Sequence, residues 1–121
     1  MPATVLVVDD ESPIVELIED ILERRGYRVL APSDPERALG IVDEDPGPIH
    51  LLLTDVMMPS HSGFELAERV QHRWPDVRVI FMSGHTRETL PADTLPPNAH
   101  VLVKPISLET LLSTVSTALG P

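Results

Sequence analysis

Apolar runs and helix-patterned segments alternate along the whole chain, and that alternation limits the folds open to it. The first run, Thr4-Val5-Leu6-Val7-Val8, is β-branched and lacks polar alternation, so it reads as a strand buried on both faces. Ser12-Pro13 then supplies a helix start, with Ser12 as N-cap and Pro13 at the first helical position. Ile14, Leu17, Ile18, Ile21 and Leu22 follow at helical spacing, and Gly26 ends the helix. Residues 28–31 form a short second strand, and Asp34-Pro35 opens a second helix with Ala38, Leu39 and Val42 inward. Residues 49–54, 77–82 and 101–103 read as the remaining strands. Ser62-Gly63 begins a third helix with Ala67, Val70 and Trp74 along one side, and Pro75 ends it. Ser107 caps a last helix carrying Leu108, Leu111, Leu112, Val115 and Leu119. Before the fifth strand, Pro91, Pro96 and Pro97 crowd residues 86–99, so a short or irregular fourth helix is expected there.

Five strands alternating with helices predict an α/β fold: a parallel sheet with right-handed crossovers and helices on both faces. By analogy with flavodoxin-like doubly wound sheets, the expected strand order is 2-1-3-4-5. Sites in such sheets form at the carboxyl ends of the strands, where the strand order reverses, here between the first and third strands. A chain of 121 residues fits one domain spanning 1–121. No apolar run approaches the roughly 20 residues of a spanning helix, so no membrane insertion is expected. Met1-Pro2-Ala3-Thr4 lacks the pattern of a secretory leader. A net charge of −10 is the wrong sign for direct nucleic-acid binding. The chain has no cysteine, which excludes disulfides and makes a cytoplasmic setting the natural expectation.

The chemistry-bearing residues collect at one sheet edge. Asp9 and Asp10 end the first strand, Asp55 the third, Ser83-Gly84 the fourth and Lys104-Pro105 the fifth. Taken singly, each is ordinary: an Asp-Asp pair is usually a loop or cap feature, and Ser-Gly is usually a turn. Together, three carboxylates held close repel one another unless a cation sits among them. Mg²⁺ suits such a site, being a hard cation that takes oxygen ligands and keeps several waters. A central carboxylate can attack phosphorus to give an acyl phosphate. Lys104, the sole lysine, can neutralise a phosphoryl oxygen, and the Ser83 hydroxyl can donate to another. The histidines His50, His61, His72, His85 and His100 lack the spacing of a zinc motif.

Asp9-Asp10, Leu51-Leu52-Leu53-Thr54-Asp55-Val56-Met57-Met58-Pro59, Met82-Ser83-Gly84 and Lys104-Pro105 resemble the receiver domains of two-component response regulators. The resemblance covers the whole chain, and residues 51–85 are most similar to receivers attached to hybrid sensor histidine kinases. It implies that Asp55 is the phosphoacceptor, that Asp10 ligates Mg²⁺ directly, and that Asp9 acts through metal-bound water. The Met57 backbone carbonyl would complete the protein ligands. Ser83 would be the switch hydroxyl, Lys104 would pair with a phosphoryl oxygen, and the Lys104–Pro105 bond would be cis. The implied donor is a sensor histidine kinase or a histidine phosphotransfer protein, docking on Pro13, Ile14 and Leu17 beside Pro105 and Ile106. The chain would then be a stoichiometric phosphoacceptor rather than an enzyme with external turnover. His85 and the Met57 side chain stand where the family tunes acyl-phosphate lifetime.

The family usually carries Phe or Tyr three residues before the lysine, where this chain has Val101. That departure bears on output and motivates an alternative, a receiver-fold interaction module no longer regulated by phosphorylation. A third reading, a metal-dependent phosphatase, needs a second acid two residues after the nucleophile, where Met57 stands.

Overall fold

The structure, a computed structural model, describes residues 3–32, 34–44, 47–58, 61–84 and 99–120. The described elements run β1 (Thr4–Val8), α1 (Ser12–Arg24), β2 (Arg28–Leu30), α2 (Pro35–Glu44), β3 (Leu51–Asp55), β4 (Met57–Met58), β5 (His61–Ser62), α3 (Gly63–Arg73), β6 (Arg78–Ser83), β7 (His100–Val103) and α4 (Leu108–Leu119). The five longer strands form a sheet in the order β2-β1-β3-β6-β7, with every neighbouring pair parallel. This is the expected 2-1-3-4-5 order, because β4 and β5 stand outside the main sheet as a short antiparallel pair. The residues expected to form a fourth helix lie, apart from Ala99, outside the described residues, as does His85.

The uninterrupted apolar strands are buried on both sides, and successive residues supply two separate cores. Leu6, Val8, Leu52 and Phe81 pack on one face with Ala38 and Val42 of α2 and Ala67 and Val70 of α3. Val5, Val7, Leu53 and Ile80 pack on the other with Ile18 and Leu22 of α1 and Leu111 and Val115 of α4. Each such Val, Leu or Ile stabilises the fold by about 1.5–3 kcal/mol relative to leaving it in water.

Local chemistry explains the helix ends. Asp34 accepts the Arg37 N–H at 2.9 Å, Ser62 that of Phe64 at 3.1 Å, and Ser107 that of Thr110 at 3.2 Å. Gly26 follows α1 with φ +92°, a conformation that suits glycine. Ser12 is not the N-cap of α1: the cap is Glu11, whose side chain makes no capping bond. The Asp9 carboxylate accepts the Glu11 N–H at 2.9 Å, and the Glu11 carbonyl then accepts from Ile14 and Val15. The turn is thereby tied one residue earlier than the Ser-Pro signal suggests. On α4, Leu111, Val115 and Ala118 are buried, whereas Leu108 is exposed. Trp74 is the C-cap of α3 and is only half-buried. No helix among the described residues is long and apolar enough to cross a membrane.

Candidate functional site

Strand register brings the polar chain ends together. Val8 pairs with Thr54, Asp55 with Met82, and Ser83 with Val103, so Asp9, Asp55, Ser83 and Lys104 all emerge at the carboxyl edge of adjacent strands. The Lys104 N–H donates to the Ser83 carbonyl at 2.7 Å, extending the ladder to the lysine. The Lys104–Pro105 peptide bond is cis, as the resemblance implies.

Asp9 and Asp55 are buried and Asp10 is exposed. One carboxylate oxygen from each of the three falls within 4.8 Å of the others. Lys104 Nζ donates to Asp9 Oδ2 at 3.0 Å and to Asp55 Oδ2 at 3.2 Å. Ser83 is buried at the end of β6. The Met57 side chain is exposed, while its backbone N–H bonds back to the Asp55 carboxylate.

The electrostatics follow from this packing. Burial, followed by repulsion from Asp9, raises the Asp55 pKa above the ordinary carboxylate value; Lys104 and the Met57 N–H only partly oppose it. For Lys104, burial acts against the charged form, yet the hydrogen bond and attraction to Asp9, joined by Asp55, outweigh it and raise the pKa. The pocket thus holds a charged ammonium beside carboxylates that repel one another. Its donor set is all oxygen, and Asp10 opens it to water. Those features fit a hard divalent cation held by Asp9, Asp10 and Asp55.

Two further residues shape the site. A methyl group at Gly63 would overlap the Asp55 carbonyl oxygen, so the start of α3 packs directly on the backbone of the central carboxylate. The same carbonyl accepts the Thr54 hydroxyl at 3.0 Å. Glu11 Oε1 lies 3.6 Å from Lys104 Nζ, a fourth carboxylate at the rim. Neither residue stands out in the sequence, where Gly63 is half of a helix start and Glu11 is one more acid before a helix. Beside the rim, Ile14, Leu17, Pro105, Ile106 and Leu111 line a groove of about 690 Å³ between α1 and α4. Of the residues expected to receive a partner, Ile14, Leu17, Pro105 and Ile106 line this groove and Pro13 is not among them; Leu17 is exposed.

The family model for the response regulator receiver domain matches residues 5–116. The chain is 35% identical over 119 residues to the sensor kinase CckA of Brucella abortus, covering 97% of this chain and 12% of the kinase. It therefore spans about an eighth of that relative's length. It is also similar to the crystal structure of the receiver domain from hybrid histidine kinase CckA, with TM-score 0.83, 32% identity, and coverage of 98% of this chain and 100% of that one. A third likeness is the response regulator protein TrrA from Thermotoga maritima in complex with Mg²⁺-BeF, with TM-score 0.78, 28% identity, and coverage of 97% and 99%.

Proposed function

The chain belongs to the response regulator receiver domain family, and on that premise we propose that Asp55 accepts a phosphoryl group from a phosphohistidine and that the change shifts a two-state equilibrium. One observation carries this reading. The sole lysine places its ammonium 3.0 Å from Asp9 and 3.2 Å from Asp55, at the centre of a carboxylate cluster suited to a cation.

In this reading an Asp55 oxygen attacks phosphorus as the donor's P–N bond breaks, and the electron pair leaves with the imidazole, which takes up a proton. The Lys104 ammonium neutralises one phosphoryl oxygen, and the Ser83 hydroxyl donates to another. Asp10 directly, Asp9 through water, Asp55 and the Met57 carbonyl would hold Mg²⁺. When bound, that ion would relieve the carboxylate repulsion and screen the phosphoryl oxygens. The similar TrrA structure, described as a complex with Mg²⁺-BeF, supports the assignment. The donor, a sensor histidine kinase or a histidine phosphotransfer protein, docks in the α1–α4 groove beside Lys104. The chain acts stoichiometrically and carries the phosphoryl group itself.

Acetyl phosphate with Mg²⁺ should add one phosphoryl group to the wild type, read by intact mass, and none to Asp55→Asn. Equal labelling of that variant would refute the assignment. Val101 favours one second reading, an interaction module indifferent to phosphorylation. Unchanged partner affinity after beryllofluoride treatment would support it.

A further inference from the structure

The groove between α1 and α4 is apolar along most of its length. Among the described residues that line it, only Glu11 and Lys104 are charged, and both stand where the groove meets the acidic pocket. Glu11 projects an exposed side chain that makes no capping bond to its own helix. Its ion pair with Lys104 is long, at 3.6 Å, and a pair so exposed contributes little to stability. Packing and capping therefore leave the position of this carboxylate unexplained. Electrostatics does not. Lys104 already donates to Asp9 and Asp55, so its one ammonium is shared among three carboxylates and Glu11 adds negative charge to the approach path.

We propose that Glu11 is a specificity-determining residue for the phosphodonor, discriminating by charge against small anionic donors that arrive free from solution. The pocket is thereby left to donors held by the groove. The inference rests on the receiver reading of Asp55. Glu11 does not touch the reacting atoms. It acts by setting the potential through which a donor must pass.

Two small donors of different charge test it. With dianionic acetyl phosphate, an Asp55 oxygen bonds to phosphorus, the P–O bond to the acetyl group breaks and acetate leaves with the electron pair. With monoanionic phosphoramidate, already protonated on nitrogen, the P–N bond breaks and ammonia leaves. Phosphorylation rates are measured for wild type, Glu11→Gln and Glu11→Lys at saturating Mg²⁺. At low ionic strength, acetyl phosphate should react about threefold faster with Glu11→Gln and about tenfold faster with Glu11→Lys. The gains should be smaller with phosphoramidate and should vanish toward roughly 1 M salt, where exposed charges are screened. If Glu11 instead merely held Lys104 in place, both variants would be slower with both donors at every salt concentration, and the proposal would be overturned. Unchanged rates at low salt would overturn it too. Such a result leaves the receiver chemistry standing when the wild type labels and Asp55→Asn does not. Failure of the wild type to label with either donor overturns both.

Discussion

Lys104 sits closer to Asp9 than to Asp55, at 3.0 Å against 3.2 Å, and the Asp9 side chain is fully buried. The lysine is therefore a structural counter-ion as well as a candidate phosphoryl partner. Removing it leaves a buried carboxylate beside two others. Lys104→Met should lower unfolding free energy by about 2–4 kcal/mol in metal-free buffer, because a buried charge loses its partner. Urea denaturation checks this, and an unchanged midpoint would show that Asp9 is otherwise satisfied.

Asp55 should work against the fold. Its folded pKa lies above the ordinary value of 3.8, through burial and then Asp9, so the folded state binds a proton more tightly than the unfolded chain does. The stability linked to this proton is present below the unfolded pKa and is lost as pH rises through the folded one. In metal-free wild type the contribution of Asp55 to stability should therefore fall as pH climbs from about 3.8. Asp55→Asn should remove that contribution to the slope and raise the neutral-pH melting temperature. Mg²⁺ should stabilise the wild type more than the variant. Scanning calorimetry across pH, with and without Mg²⁺, reads all three. Lys104 titrates in a separate window: its pKa is raised above 10.5, so its contribution persists at neutral pH and is lost only in alkali.

Two glycine-to-alanine changes should move stability in opposite directions. Gly63→Ala places a methyl group onto the Asp55 carbonyl and should cost about 2–3 kcal/mol through overpacking. It should also slow acetyl phosphate labelling, because the central carboxylate must shift. Gly40 lies inside α2 with open space where a Cβ would point, so Gly40→Ala should stabilise by about 0.5–1 kcal/mol. Paired thermal melts would decide, and a neutral Gly63→Ala would mean that α3 can slide away at no cost.

Leu17→Glu should separate docking from chemistry. The residue is 58% exposed, so folding stability should change by no more than about 0.5 kcal/mol. Labelling by acetyl phosphate should be preserved. Transfer from a phosphorylated histidine phosphotransfer protein that labels the wild type should fall at least tenfold, for a charge buried in an apolar contact costs more than 1.4 kcal/mol. Undiminished transfer would move the docking site elsewhere.

The sheet was legible because each strand is a compact apolar run bounded by polar residues, and the carboxylates and lysine stand at the ends of those runs. Asp9 and Lys104 are 95 residues apart, yet topology alone brings them to one edge. Other features depend on contacts that no local pattern records. The cap of α1 moved to Glu11 because a carboxylate two residues earlier holds its N–H. The β4–β5 pair has two residues in each strand, too few for any period to show. Leu108 shares its helix's apolar spacing but falls at the solvent edge of the stripe, where spacing cannot say which way it faces. Gly63 looked like a helix start, and only the fold shows it pressed against Asp55.

Leu51-Leu52-Leu53 in β3 meets apolar neighbours on both faces, so sliding that strand by one residue would expose almost nothing oily to water. Greasy burial alone therefore cannot choose the alignment that works. The strand is tied at its two ends by hydrogen bonds, Val56 N–H to the Met82 carbonyl and His50 N–H to the Thr4 carbonyl. The rim that carries the acidic cluster also helps to measure the sheet, and neither can drift without the other.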